Sequence, residues 1–291
     1  MDSFRELNLP NPLLNALDDL GFAKPKPIQK EAFPVILSGK NVVGIAQTGT
    51  GKTLAYMLPL LRELKFSKQV HPRILILVPT RELVLQVVEQ VNTYAKYMNV
   101  RVMGVYGGTN IKTQALAVAQ GMDILVATPG RIYDLAISKA VQLKEIKKLV
   151  IDEVDVMLDL GFRFQLTNLF ELIPERRQNI MFSATMTDEV DELINDSFIA
   201  PVKISIASSG ARLETIEQTA YRVPNFHTKA NLLSHLLRDK DTFQKVLVFV
   251  TGKKNADLLY DLLEDPYAPE MGIIHTDKSQ NNRVKAIEDF D

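Results

Sequence analysis

The chain has 291 residues, 46% of them hydrophobic and 24% charged, with a formal net charge of −1, which excludes a uniformly basic face as the basis of nucleic-acid binding. The length suits one large or two modest globular domains. The absence of cysteine excludes disulfides and thiolate metal sites and fits a reducing, cytoplasmic setting. No apolar run approaches the ~18 residues of a membrane helix, and the N-terminal MDSFRELNLPNP has no apolar signal core, so no membrane association is expected.

In chain order, short β-branched runs alternate with helical periodicity. NVVGIA (41–46), RILILV (73–78), VRVMGVY (100–106), DILVA (123–127), KLVID (148–152), NIMF (179–182) and VKISI (202–206) read as strands, with helices at 82–97 and 187–197. Such alternation predicts an α/β fold with a parallel sheet covered by helices on both faces. Runs that are apolar throughout fit strands buried on both sides. ASSGAR (207–212) breaks the pattern and reads as a linker. A second alternation follows, with strands expected at 217–223, 245–250 and 271–275 and helices to about 238, at 254–263 and at 280–290. The expected organisation is residues 1–206, a linker at 207–212, and 213–291.

Residues 46–53 read AQTGTGKT and lie between the first strand and a helical stretch. In the span Ala46, Gln47, Thr48, Gly49, Thr50, Gly51, the glycines let backbone N–H groups converge on one point, and the helix N-terminus adds its positive dipole end. Lys52 would reach the β- and γ-phosphates of a nucleotide, and Thr53 would hold Mg²⁺. The plainer alternative is a strand-to-helix turn with a solvated lysine. A phosphate loop needs a carboxylate on a neighbouring strand, and KLVIDEVD (148–155) supplies one. Asp152 can hold Mg²⁺ through its waters, and Glu153 can polarise the attacking water.

With these two motifs in place, DEVD (152–155) resembles the signature tetrapeptide of the DEAD-box RNA helicases, and further motifs follow that family's order. GFAKPKPIQ (21–29), with Phe4 upstream, is similar to its adenine-reading segment, and PTREL (79–83), GG (107–108) and TPGR (128–131) to its RNA-contacting motifs. SAT (183–185), LVFV (247–250) and QNNR (280–283) match its later ones. The resemblance implies a RecA-like domain that binds ATP and Mg²⁺, followed by an incomplete second RecA-like domain.

It further implies that Phe4 stacks on adenine and that Gln29 reads the base, since its amide donor and acceptor suit the N7 and N6 edge. Arg81 and Arg131 would meet RNA phosphates, with Pro79, Thr80, Gly107, Gly108, Thr128, Gly130, Gln280 and Arg283 also along the strand. Contacts of that kind position RNA without reading its bases, and they allow a chain of net charge −1 to bind it. Asp155, Ser183 and Thr185 would couple hydrolysis to RNA binding through hydrogen bonds.

Three departures from the family pattern stand out. Val154 replaces alanine in the tetrapeptide, and Thr276 follows His275 where glycine is usual; His275 itself reads as a packing residue. The arginine-rich motif that completes ATP hydrolysis is absent, so this chain is expected to bind adenine nucleotide but to show little RNA-stimulated turnover. The expected function is that of a monomeric ATP-dependent RNA helicase that separates short duplexes or remodels RNA–protein complexes. The alternatives are a non-hydrolysing ATP-dependent RNA clamp and a DNA translocase on the same fold.

Overall fold

The computed structural model describes residues 3–206, 217–267 and 270–290. It divides into two compact units, Met1–Ala211 and Arg212–Asp291, and the linker expected at 207–212 lies outside the described residues.

The first unit is built on seven parallel strands: β1 (Val42–Ile45), β2 (Ile74–Leu77), β3 (Val102–Val105), β4 (Ile124–Ala127), β5 (Lys148–Ile151), β6 (Gln178–Ser183) and β7 (Val202–Ser205). Their order across the sheet is β3-β4-β2-β5-β6-β1-β7. Each falls where an apolar run predicts a strand.

Side chains alternate across a strand, so each run divides its residues between two cores. Val42, Ile74, Ile76, Ile124, Val126, Val150, Ile180 and Phe182 join one cluster. Val43, Leu75, Leu77, Leu125, Ala127, Leu149, Ile151 and Met181 join the other. The first cluster is closed by α1 (Asn11–Asp19), α2 (Pro27–Leu37), α3 (Lys52–Glu63) and α4 (Arg81–Tyr94). The second is closed by α5 (Ile111–Val118), α6 (Pro129–Ile137), α7 (Val154–Asp159), α8 (Arg163–Leu172) and α9 (Asp188–Ser197).

Two local features fix this packing. Gly44 of β1 pairs in register with Phe182 of β6, and a Cβ on Gly44 would lie 2.4 Å from the Phe182 ring. At the N-terminal end of the sheet, Asp123 is buried and accepts from Arg73 at 2.8 Å and from the Arg101 backbone and side chain at 3.1 Å.

The second unit contains α10 (Phe226–Leu236), α11 (Lys253–Tyr267) and α12 (Gln280–Glu288), where helices are expected. The strands expected at 217–223, 245–250 and 271–275 do not form among its described residues. A strand exists only through a hydrogen-bonded neighbour, and an apolar run by itself does not supply one. Leu247 and Phe249 are accordingly 63% and 89% exposed. The buried centre of this unit is small: Ala230, Leu259 and Leu263, with Phe226, Leu233 and Val250 against them. His275 faces Asp257 at 3.1 Å, and Thr276 is absent from the residues with positive φ.

Candidate functional site

The C-terminal ends of β1, β5 and β6 open on the same edge of the sheet, where α/β folds place their ligands. After β1 the chain turns through Gly49 (φ +81°) and Gly51 (φ +87°), conformations that only glycine adopts freely, and enters α3 at Lys52. Ala46 is buried and donates its N–H to the Ser183 carbonyl. Gln47 and Thr48 are exposed, and Thr50 closes a turn by donating its N–H and hydroxyl to the Gln47 carbonyl at 3.4 and 2.7 Å.

A cavity of about 440 Å³ lies over this loop and brings together Phe4, Gln29, Lys52, Thr53, Asp152 and Glu153. The buried residues Phe4 and Gln29 therefore share a site with the phosphate loop despite the sequence between them. Gln29 is the third residue of α2; its Oε1 accepts from the Lys26 N–H at 2.8 Å and its Nε2 donates to the Gly51 carbonyl at 3.1 Å. An amide has two N–H donors and two acceptor lone pairs, so Gln29 can support the loop and still bind a base.

The electrostatics of the cavity fit a nucleotide polyphosphate with a divalent cation. Lys52 is only 6% exposed and its Nζ has no hydrogen-bond partner among the described residues, a costly arrangement for an ammonium group unless an anion bonds to it. Asp152 is equally buried; burial pushes its pKa up to about 6 against the opposing pull of the Lys52 charge. Its carboxylate accepts from the Glu153 N–H at 3.1 Å. Glu153 itself sits at φ 56°, a left-handed conformation that costs a non-glycine residue on the order of 1–3 kcal/mol. It immediately precedes the helix that begins at Val154, which is fully buried in the core.

Asp155 connects this edge to the end of β6. One carboxylate oxygen accepts from the N–H groups of Ala184 and Thr185 at 3.2 and 2.9 Å and from the Thr185 hydroxyl at 2.8 Å. Burial acts to raise its pKa, but these bonds prevail and lower it. The Ser183 hydroxyl donates to the Thr185 carbonyl at 2.7 Å and remains close enough to Asp155 to add to that lowering.

The segments expected to meet RNA follow β2, β3 and β4. Buried Pro79 and half-buried Thr80 lead into α4, with the Thr80 hydroxyl capping that helix through the Leu83 N–H. Arg81 lies 4.9 Å over the Tyr106 ring. Gly107 and Gly108 are exposed with open space around them, and Gly130 is half-buried. Thr128 is buried at the start of α6 without capping it. Arg131 stands apart from the exposed Gly107–Gly108 pair. It is buried, and its terminal nitrogens donate to Gln114 Oε1 at 2.8 Å and the Thr109 carbonyl at 2.9 Å. Gln280 and Arg283 lie in α12 of the second unit, the Gln280 side chain outside what is described.

Three residues at this edge escape sequence reasoning. Lys26 donates from Nζ to the Gly49 carbonyl at 2.9 Å, Tyr56 buries its hydroxyl beside Asp152 and Thr53, and Gln114 anchors Arg131. Only Lys26 lies in a quoted motif, and nothing in that motif signals its partner.

Residues 26–193 match the family model described as DEAD/DEAH box helicase. The chain is 36% identical to the ATP-dependent RNA helicase DBP2 of Candida albicans, over 99% of this chain and 52% of that protein. It is 37% identical to the DEAD-box ATP-dependent RNA helicase CshA of Streptococcus pneumoniae, over 99% of this chain and 54% of that protein. A rice relative, DEAD-box ATP-dependent RNA helicase 28, is also 37% identical, over 99% of this chain and 36% of that protein. The chain thus spans about half or less of these relatives' length. With the RecA-like sheet, the phosphate loop and the DEVD acids at one edge, the match establishes that the chain belongs to the DEAD/DEAH box helicase family.

Proposed function

We propose that this protein is an ATP-dependent RNA helicase that binds single-stranded RNA by its backbone and uses ATP binding and hydrolysis to separate short duplexes or remodel RNA–protein complexes. The observation that carries the reading is the convergence of Phe4, Gln29, Lys52, Thr53, Asp152 and Glu153 on one cavity. Phe4 offers a stacking face, and Gln29 presents its remaining amide donor and acceptor to adenine. The Lys52 ammonium, whose Nζ makes no hydrogen bond among the described residues, takes the phosphate charge. Mg²⁺, when bound, neutralises charge on the phosphate oxygens, and Thr53 and Asp152 are the residues that would hold it.

Glu153 is the base that orients and deprotonates the attacking water. Asp155, through Thr185, passes the state of this edge to the end of β6. Arg81 and the exposed backbone at Gly107–Gly108 supply phosphate contacts that carry no base information.

The test is nucleotide hydrolysis with RNA and with DNA of matched length, alongside nucleotide binding by calorimetry. Nucleotide binding with weak stimulation, selective for RNA, is expected. Nucleotide binding without turnover under any nucleic acid would point to a non-hydrolysing clamp, and equal stimulation by DNA to a translocase.

A further inference from the structure

The loop after β3 carries the exposed Gly107–Gly108 pair, and two glycines by themselves leave it without a fixed shape. What shapes it is a polar cluster beneath. Gln114, on α5, accepts the Tyr106 N–H at 3.3 Å and donates to the Tyr106 carbonyl at 3.2 Å and the Thr109 hydroxyl at 2.8 Å. The Thr109 hydroxyl in turn reaches the Tyr106 carbonyl at 3.3 Å. Arg131 completes the cluster from α6, bonding Gln114 Oε1 and the Thr109 carbonyl. Tyr106 also carries the Arg81 guanidinium on its ring. Three segments from separate strands are joined through Gln114 and Tyr106.

We propose that Gln114 and Arg131 are positioning residues forming a brace that holds the Gly107–Gly108 loop in its RNA-binding shape, and that Arg131 acts through this brace rather than as a phosphate ligand. Arg131 is 8% exposed and two of its five N–H donors are committed to protein acceptors, so it is burial that holds it back from a strand on the surface. Moving it to a phosphate would leave Gln114 Oε1 and the Thr109 carbonyl without their charged donor. The role in RNA binding rests on the function proposed above; the brace does not.

The experiment uses the full chain with a fluorescent single-stranded RNA titrated over a range of salt, and amide hydrogen exchange without RNA. A phosphate ligand contributes to the salt dependence of binding, and a brace does not, because the loop's backbone donors release no counterions. Gln114→Leu is expected to lower RNA affinity about tenfold, the cost of one lost charge-assisted hydrogen bond, with the salt slope unchanged. Arg131→Gln should give the same loss and the same slope, and the double variant should be no weaker than either single one. Gln114→Glu, which keeps the acceptor for Arg131 but loses the donors, should fall between.

In the exchange experiment the Tyr106 amide and its neighbours through residue 110 should exchange at least about fivefold faster in Gln114→Leu. A slope reduced by about 0.7 in Arg131→Gln, with Gln114→Leu binding as the parent does, would overturn the proposal and place Arg131 on phosphate. Unchanged exchange would overturn the brace whatever RNA does. Failure of the parent chain to bind RNA, with exchange altered as expected, would instead reject the RNA reading and leave the brace standing.

Discussion

Lys52 is a buried ammonium whose Nζ makes no hydrogen bond among the described residues, so under the proposed function it should gain binding energy when phosphate arrives. Lys52→Ala should therefore weaken ATP and ADP binding at least tenfold in calorimetry, as expected for loss of a charged hydrogen-bond partner. Glu153→Gln should leave binding nearly intact and remove turnover, since the amide keeps the shape and loses the base; equal damage to binding from both substitutions would make Glu153 structural. Gln29 allows a finer distinction because it supports Gly51 and faces the base site. Gln29→Ala should narrow the preference for adenine over guanine nucleotides, whereas an equal loss for both would mean that only loop support had been removed. The phosphate loop and the DEVD acids were legible because each is a local word whose chemistry depends on its own spacing. Lys26 and Gln114 were not, because their partners at Gly49 and Arg131 stand 23 and 17 residues away and no periodicity signals them.

Among the elements, the seven strands of the first unit were legible because burial on both faces leaves an unbroken apolar run. The same reading at 217–223, 245–250 and 271–275 missed, since an apolar run states a preference and a ladder needs a neighbour. The cluster at Asp123 was invisible in sequence for the opposite reason: a charged residue at the head of a strand reads as solvated, yet this one is buried among arginines. Burial would raise its pKa, but the bonds from Arg101 and Arg73 outweigh that and hold it below the usual carboxylate value. A depressed folded pKa contributes stability that is complete above the unfolded value of about 3.9 and is lost as pH falls through the folded one. Asp123→Asn should therefore lower stability at pH 7 by on the order of 3 kcal/mol and flatten acid denaturation below pH 4, both readable by urea unfolding across pH. Gly44→Ala should cost about 1–3 kcal/mol by overpacking, measured the same way, with the sheet otherwise intact.

Across the whole molecule, every residue lining the nucleotide cavity belongs to the first unit. Ligand binding stabilises only what it binds, by about 2.7 kcal/mol at a hundred times the dissociation constant. Calorimetric melting with increasing Mg–ADP should show one transition that climbs and one that stays fixed; a single transition moving as a whole would mean that the units unfold together. The register pairing of Gly44 with Phe182 has a consequence for lineage as well as for folding. One volume is shared between two positions far apart in the gene, so neither can drift alone. A descendant that acquires alanine at 44 survives best if 182 has already shrunk to leucine, and the two sites should mutate as a linked pair. A library randomised at both should return small-with-large and medium-with-medium combinations, and very few in which both are bulky.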